Sequence, residues 1–158
     1  MLYCKIYLHI VRIVVNIEKI LEEWQSDSKM DRTHLDREAI SIPQLHHKYF
    51  KLMISERLLM RKLDADLKQL KLDKHEFYTQ GHTKETQEKG WTLPAKGMIL
   101  KADLPMYMDA DPDIVALNLK IGYQLEKIEL LESIIKMVMN RNFQIKSAID
   151  WIKFEQGA

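Results

Sequence analysis

The chain has 158 residues, enough for one domain with a sizeable core and too few for two ordinary ones. With 46% hydrophobic and 30% charged residues but only 5 Gly and 4 Pro, it suits a folded, helix-rich protein and argues against a disordered chain or a turn-rich all-β fold. The 24 Lys and Arg against 23 Asp and Glu leave a net charge of +1, a balance that taken whole argues against a strongly basic nucleic-acid binder, and the single cysteine, Cys4, rules out an internal disulfide and a Cys-based zinc site.

Met1 to Val14 is unusually apolar. Lys5, His9 and Arg12 interrupt the run and no small-residue cleavage site follows, so it does not read as a signal peptide. It is also shorter than the roughly 20 apolar residues of a membrane span. It reads either as a packed extension of the first helix or as translated sequence upstream of the true start. Residues 1–15 are therefore set apart as an extension, and 16–158 as a single helical domain with a loop or arm at about 80–108.

Ile17, Ile20, Leu21 and Trp24 lie on one stripe and predict a first helix over Asn16 to Trp24. Gln25 to Lys29 is a polar break, and Met30 to Ala39 forms a short second helix. Ser41-Ile42-Pro43 reads as the start of a long helix running to Tyr78, since Pro is tolerated in a first turn. Leu45, Tyr49, Leu52, Leu59, Leu63 and Leu70 make its apolar stripe. Thr79 to Gly90 reads as a loop, and Trp91 to Tyr107 as mixed β-type and loop sequence holding either a short strand or an extended arm around Met98-Ile99-Leu100.

Asp111 as cap, Pro112 in the first position and the surrounding acidic cluster start another helix, which runs to about Met139. Ile114, Ile121, Ile128 and Ile135 take one heptad position, and Leu117, Gln124, Leu131 and Val138 the other. Leu125, Leu130 and Ile134 widen that seam beyond what a two-stranded coiled coil needs, so it serves a bundle, an oligomer interface, or both. Asn140-Arg141-Asn142 breaks the helix, and a last one spans Phe143 to Glu155. The expected fold is mostly α: a hairpin or bundle of one long central helix and a C-terminal helix pair, oligomerising through Ile114, Leu117, Ile121, Ile128, Leu131 and Ile135.

Divided by segment, the charge is −1 over residues 1–43, +5 over 44–101 and −3 over 102–158. At about 100° per residue, Arg57, Arg61, Lys68, Lys71 and His75 fall within an arc of roughly 80° on the long helix. Asp64 lies inside this ridge, and Lys74 lies off it, near the apolar face at the helix end. Phe77 and Tyr78 follow, then a loop with His82, Lys84 and Lys89. Cations that neutralise phosphates, beside rings on which any base stacks, suit single-stranded nucleic acid. The competing reading is a solvated face balanced by i, i+4 partners such as Asp64 and Lys68.

No catalytic constellation stands out: the chain has no phosphate-binding G-x-x-x-x-G-K-[ST], no G-x-S-x-G and no H-E-x-x-H. His46 and His47 point to different helix faces and make a poor metal pair. The Asp109, Asp111, Asp113 run lacks the Gly and later Glu of a calcium loop. The expectation is a non-enzyme without metal or cofactor.

Asn140-Arg141-Asn142-Phe143-Gln144-Ile145-Lys146 and Phe154-Glu155-Gln156-Gly157 resemble the end of the UvsY family, the recombination mediators of T-even-type phages and cyanophages. Ala110-Asp111, Asp113 and Tyr123 recur in the same order. Lys71-Leu72-Asp73-Lys74-His75-Glu76-Phe77-Tyr78, with Gly81 beyond, is similar to the family's basic stretch, aromatic pair and loop. The resemblance covers residues 15–158 and is strongest in the last fifty. It implies a non-catalytic protein that binds single-stranded DNA and loads a UvsX-like recombinase onto DNA coated by the phage single-strand binding protein. It also implies a ring of six or seven subunits, assembled through C-terminal helices, in the cytoplasm of the infected bacterium and with no membrane association. The family's DNA-binding motif has two basic residues spaced by one. Lys74 matches the second; the first falls on Leu72, with Lys71 beside it as a substitute. Lys68 and Arg61 rest on the ridge alone, and Tyr78 on the aromatic pair. Two rivals stay open: a helical scaffold that never touches DNA, and a duplex binder using Ile128 to Glu155 as a helix-turn-helix, disfavoured by the few base-reading side chains there.

Overall fold

The computed structural model of the protein describes residues 17–157. The expectations for Cys4 and the N-terminal extension lie outside the described residues. Five α-helices follow in order: α1 (17–27), α2 (Leu35–Gln80), α3 (Lys84–Glu88), α4 (Leu104–Asp109) and α5 (Pro112–Glu155), with no strand among the described residues. They form two compact units, and α2 and α5 contribute to both.

The first unit contains α1, residues 35–58 of α2 and residues 123–155 of α5. Ile42, Tyr49 and Met53 from α2 meet Leu131, Ile134, Ile135, Val138 and Ile145 from α5, with Ile20 of α1 closing the cluster. These residues sit at helical spacing on their own elements, so each helix buries one stripe. Trp24 packs edge-on against Tyr49, whose hydroxyl donates to Asp27 at 2.9 Å. Glu38 pairs with Arg141, Arg57 with Glu132, and Glu56 with Lys127, so early residues of α2 meet late residues of α5 and the two segments run antiparallel here. Gln124, in the otherwise apolar seam, donates to both the Glu56 carbonyl (2.9 Å) and its carboxylate (2.6 Å), while Lys127 donates to the same carboxylate at 3.0 Å. All three side chains are buried.

Two expected boundaries differ. Met30 to Ala39 and the helix start at Ser41 merge into α2, where Pro43 is the ninth residue rather than the first. Proline removes one i→i−4 bond, but Ile42 in the core and the Glu38–Arg141 pair hold that turn helical. The C-terminal pair is one helix: α5 passes through Asn140-Arg141-Asn142 without a break. The reason is Arg141, which is 5% exposed. Its guanidinium donates to the carbonyls of Asp27 (2.9 Å) and Lys29 (2.7 Å) and to Glu38 (3.0 Å). A residue holding three groups from outside its helix fixes the turn it sits in, and the two asparagines simply face solvent.

The heptad residues divide between the two units. Ile128, Leu131 and Ile135 are buried in the first unit, and Ile114 in the second, all within this one chain; Leu117 and Ile121 are half-buried. Leu131 and Ile135 pack in the core of the first unit, against α2. On the stripe of α2, Leu59 is exposed while Tyr49 is fully buried.

The second unit is Leu59–Gly122. Gly81, at φ +91, closes α2, its N–H reaching the Phe77 carbonyl at 3.0 Å. The expected loop and arm hold two short helices, α3 and α4, and no strand. Thr83 and Thr86 form a capping box on α3. Phe77, Tyr78, Ile99 and Leu104 form a small core, with Trp91, Leu93, Tyr107 and Met108 against it. Asp111 caps α5 as expected, its Oδ1 accepting from the N–H groups of Asp113 (2.9 Å) and Ile114 (3.1 Å).

Candidate nucleic-acid interface

In the second unit α2 presents Arg61, Lys62, Lys68, Lys71 and His75 to solvent. No described carboxylate lies within 4.0 Å of the charged nitrogens of Arg61, Lys62, Lys68 or Lys71. The balancing pair expected between Asp64 and Lys68 is not formed. Arg57, the other ridge residue, belongs to the first unit and is paired with Glu132.

Lys74 is placed differently. It is 3% exposed, and its ammonium bonds Asp111 at 2.9 Å and Asp113 at 2.7 Å. The same nitrogen stands 4.0 Å from the centre of the Trp91 ring. Tyr78 is 7% exposed and donates its hydroxyl to Asp111 at 2.8 Å. Neither the Lys74 charge nor the Tyr78 ring is open to solvent in this chain. Both are covered by the segments that fold back on the end of α2: Lys74 meets Trp91, Asp111 and Asp113, and Tyr78 meets Tyr107 and Asp111. A buried ammonium needs a countercharge, and the acidic start of α5 supplies it.

Burial pushes the Asp111 carboxyl up, but the bonds from Lys74, Tyr78 and the Ile114 amide outweigh it and hold it below the ordinary carboxylate value. Burial, then the bond to Asp111, pushes the Tyr78 phenol well up. One node thus ties the end of α2, the loop at Trp91 and the head of α5. Trp91 and the Asp111–Asp113 pair are contact partners of Lys74 that sequence reading did not find. The signal was partly there, because a lysine near an apolar face requires an acidic partner, and Asp109–Asp113 is the densest acidic run in the chain.

Lys89 pairs with Asp73 at 3.2 Å and also approaches the Trp91 ring, at 4.9 Å. The nearby hollow of about 150 Å³ is lined by Asp73, Glu76, Glu85 and Lys89 together with Phe77 and Trp91. With three carboxylates against one ammonium, this hollow is a poor place for phosphate. Among the described residues no three His, Cys, Asp or Glu side chains gather to hold a metal ion, and no helix is long and apolar enough to cross a membrane.

The family model for UvsY, the recombination, repair and ssDNA-binding protein, matches residues 23–158. The chain belongs to the UvsY family. Its structure is similar to crystal structures of the bacteriophage T4 recombination mediator protein UvsY. Against lattice type I the TM-score is 0.72 at 21% identity, over 87% of this chain and 98% of that one. Against lattice type II it is 0.71 at 22% identity, over 88% and 96%. At this identity the likeness shows a shared UvsY fold. No curated protein sequence matches the chain.

Proposed function

We propose that this UvsY-family chain is a recombination mediator that binds single-stranded DNA and helps load a UvsX-like recombinase onto DNA coated by single-strand binding protein, in the cytoplasm of an infected bacterium. The observation that carries this reading is the row of exposed, carboxylate-free cations on α2, in a chain whose family binds single-stranded DNA. Arg61, Lys68 and Lys71 take the phosphates. Lys74 and Tyr78 hold the loop and the head of α5 against the end of that row. No bond is made or broken: the work comes from binding energy. A homo-oligomeric ring of six or seven copies multiplies a modest contact into tight binding. Bending the strand on such a ring loosens the resident binding protein and offers the DNA to the recombinase.

A salt series with fluorescent oligo-dT tests the reading. Binding that weakens steeply with salt is expected, with random duplex bound less tightly. Lys68→Ala with Lys71→Ala lowers both the affinity and the slope of log K against log salt, the latter by about 1.4 per chain engaged. Absence of binding at low salt removes the mediator reading and leaves a helical scaffold.

A further inference from the structure

Residues 96–101 run Lys-Gly-Met-Ile-Leu-Lys. Ile99 turns inward and is 8% exposed, while its neighbours Met98 and Leu100 turn outward at 61% and 74%. Single apolar residues at a surface need no explanation. Here the backbone itself holds two of them out. Gly97 adopts φ +81, and its N–H reaches the Pro94 carbonyl at 2.8 Å. The Ile99 N–H reaches the Tyr78 carbonyl at 2.9 Å, and the Leu100 carbonyl accepts from Asp103 (3.0 Å) and Leu104 (3.1 Å). The segment is therefore pinned at three points, and ordering it on a partner costs little conformational entropy.

We propose that Lys96 to Lys101 is a second contact for single-stranded nucleic acid: an apolar knuckle, Met98 and Leu100, that lies against unstacked bases, flanked by two lysines that meet phosphates. The proposal rests on the mediator reading above and extends its site. Charge selects the occupant. Lys96 and Lys101 are exposed, no described carboxylate lies within 4.0 Å of either ammonium, and the segment has no acidic residue. The nearest acid in sequence, Asp103, sits beyond the flanking lysine. Continuity selects it again. The anchor carbonyl belongs to Tyr78, which at about 100° per residue lies within roughly 20° of Lys71 around α2 and less than one turn beyond His75. A strand following the cations of α2 arrives beside the knuckle. Apolar side chains against base faces are indifferent to sequence, because every base has such a face.

Oligo-dT titrations of the full chain over a salt series separate the two halves of the contact. Lys96→Ala with Lys101→Ala is expected to flatten the salt slope by about 1.4 per chain engaged. Met98→Ser with Leu100→Ser is expected to weaken binding about fivefold or more at every salt concentration, with the slope unchanged. All four side chains are exposed, so circular dichroism should match the wild type. If the wild type binds with a slope that depends on Lys68 and Lys71 but both loop variants titrate identically to it, this inference is overturned and the knuckle is a protein-docking patch. If the wild type does not bind oligo-dT at all, the mediator reading itself falls.

Discussion

Lys74 is the residue on which position and charge part company. Its ammonium is shared between Asp111 and Asp113 and lies over Trp91. Lys74→Ala strips the countercharge from a buried carboxylate, and we expect it to lower the stability of the second unit by about 3–5 kcal/mol in urea denaturation. Adding Asp111→Asn should recover part of that loss, because asparagine still caps α5 and carries no charge to strand. Protein that stays folded should keep the wild-type salt slope for oligo-dT, whereas Lys71→Ala should flatten it by about 0.7. The same node predicts an acid response. The Asp111 carboxyl is held below its unfolded value, so as the pH falls the unfolded chain takes up the proton first. The stabilisation is complete above about pH 4 and is lost as the pH drops through the folded value. Acid denaturation of Asp111→Asn should be shallower than that of the wild type. The sequence placed Lys74 near an apolar face, and that was legible because helical spacing is local. Its partners were not, since Asp111 and Asp113 reach it only through the loop between α2 and α5.

At the scale of the element, α5 behaves as the wall of a core. Leu131 and Ile134 are fully buried against α2. Leu131→Asp should therefore unfold the first unit, read as loss of helical circular dichroism, and should not merely release smaller assemblies. Retained helicity with a lower mass would return Leu131 to an interface between chains. The heptad was legible, and so was the Asp111-Pro112 start, because both are patterns within a few turns. Whether a seam faces its own chain or another is a tertiary matter, and spacing does not encode it. The unbroken passage through Asn140–Asn142 has the same cause: asparagine's tolerance for a left-handed turn is intrinsic, while the hold of Arg141 on Asp27, Lys29 and Glu38 depends on residues more than a hundred positions away.

Over the whole molecule, near-neutral charge conceals a basic middle between acidic flanks, and three exposed aromatic side chains stand late in α5. Phe143 (72%), Trp151 (61%) and Phe154 (74%) stand open, with Trp151 and Phe154 ring to ring at 5.7 Å. They are better placed than the buried heptad to join copies of the chain. Replacing all three with serine should lower the mass found by light scattering, leave helicity intact and weaken oligo-dT binding as multivalency is lost. An unchanged mass would exclude this face from assembly. A leucine- and isoleucine-rich seam by itself is nearly indifferent to sliding by a turn, because one aliphatic layer replaces another. Glu56, Gln124 and Lys127 abolish that indifference. Slide α5 by a turn along α2 and a carboxylate, an amide and an ammonium are left in hydrocarbon without partners. The triad works as a vernier: the aliphatic layers set how tightly the helices grip, and these three polar groups leave one notch in which they can rest.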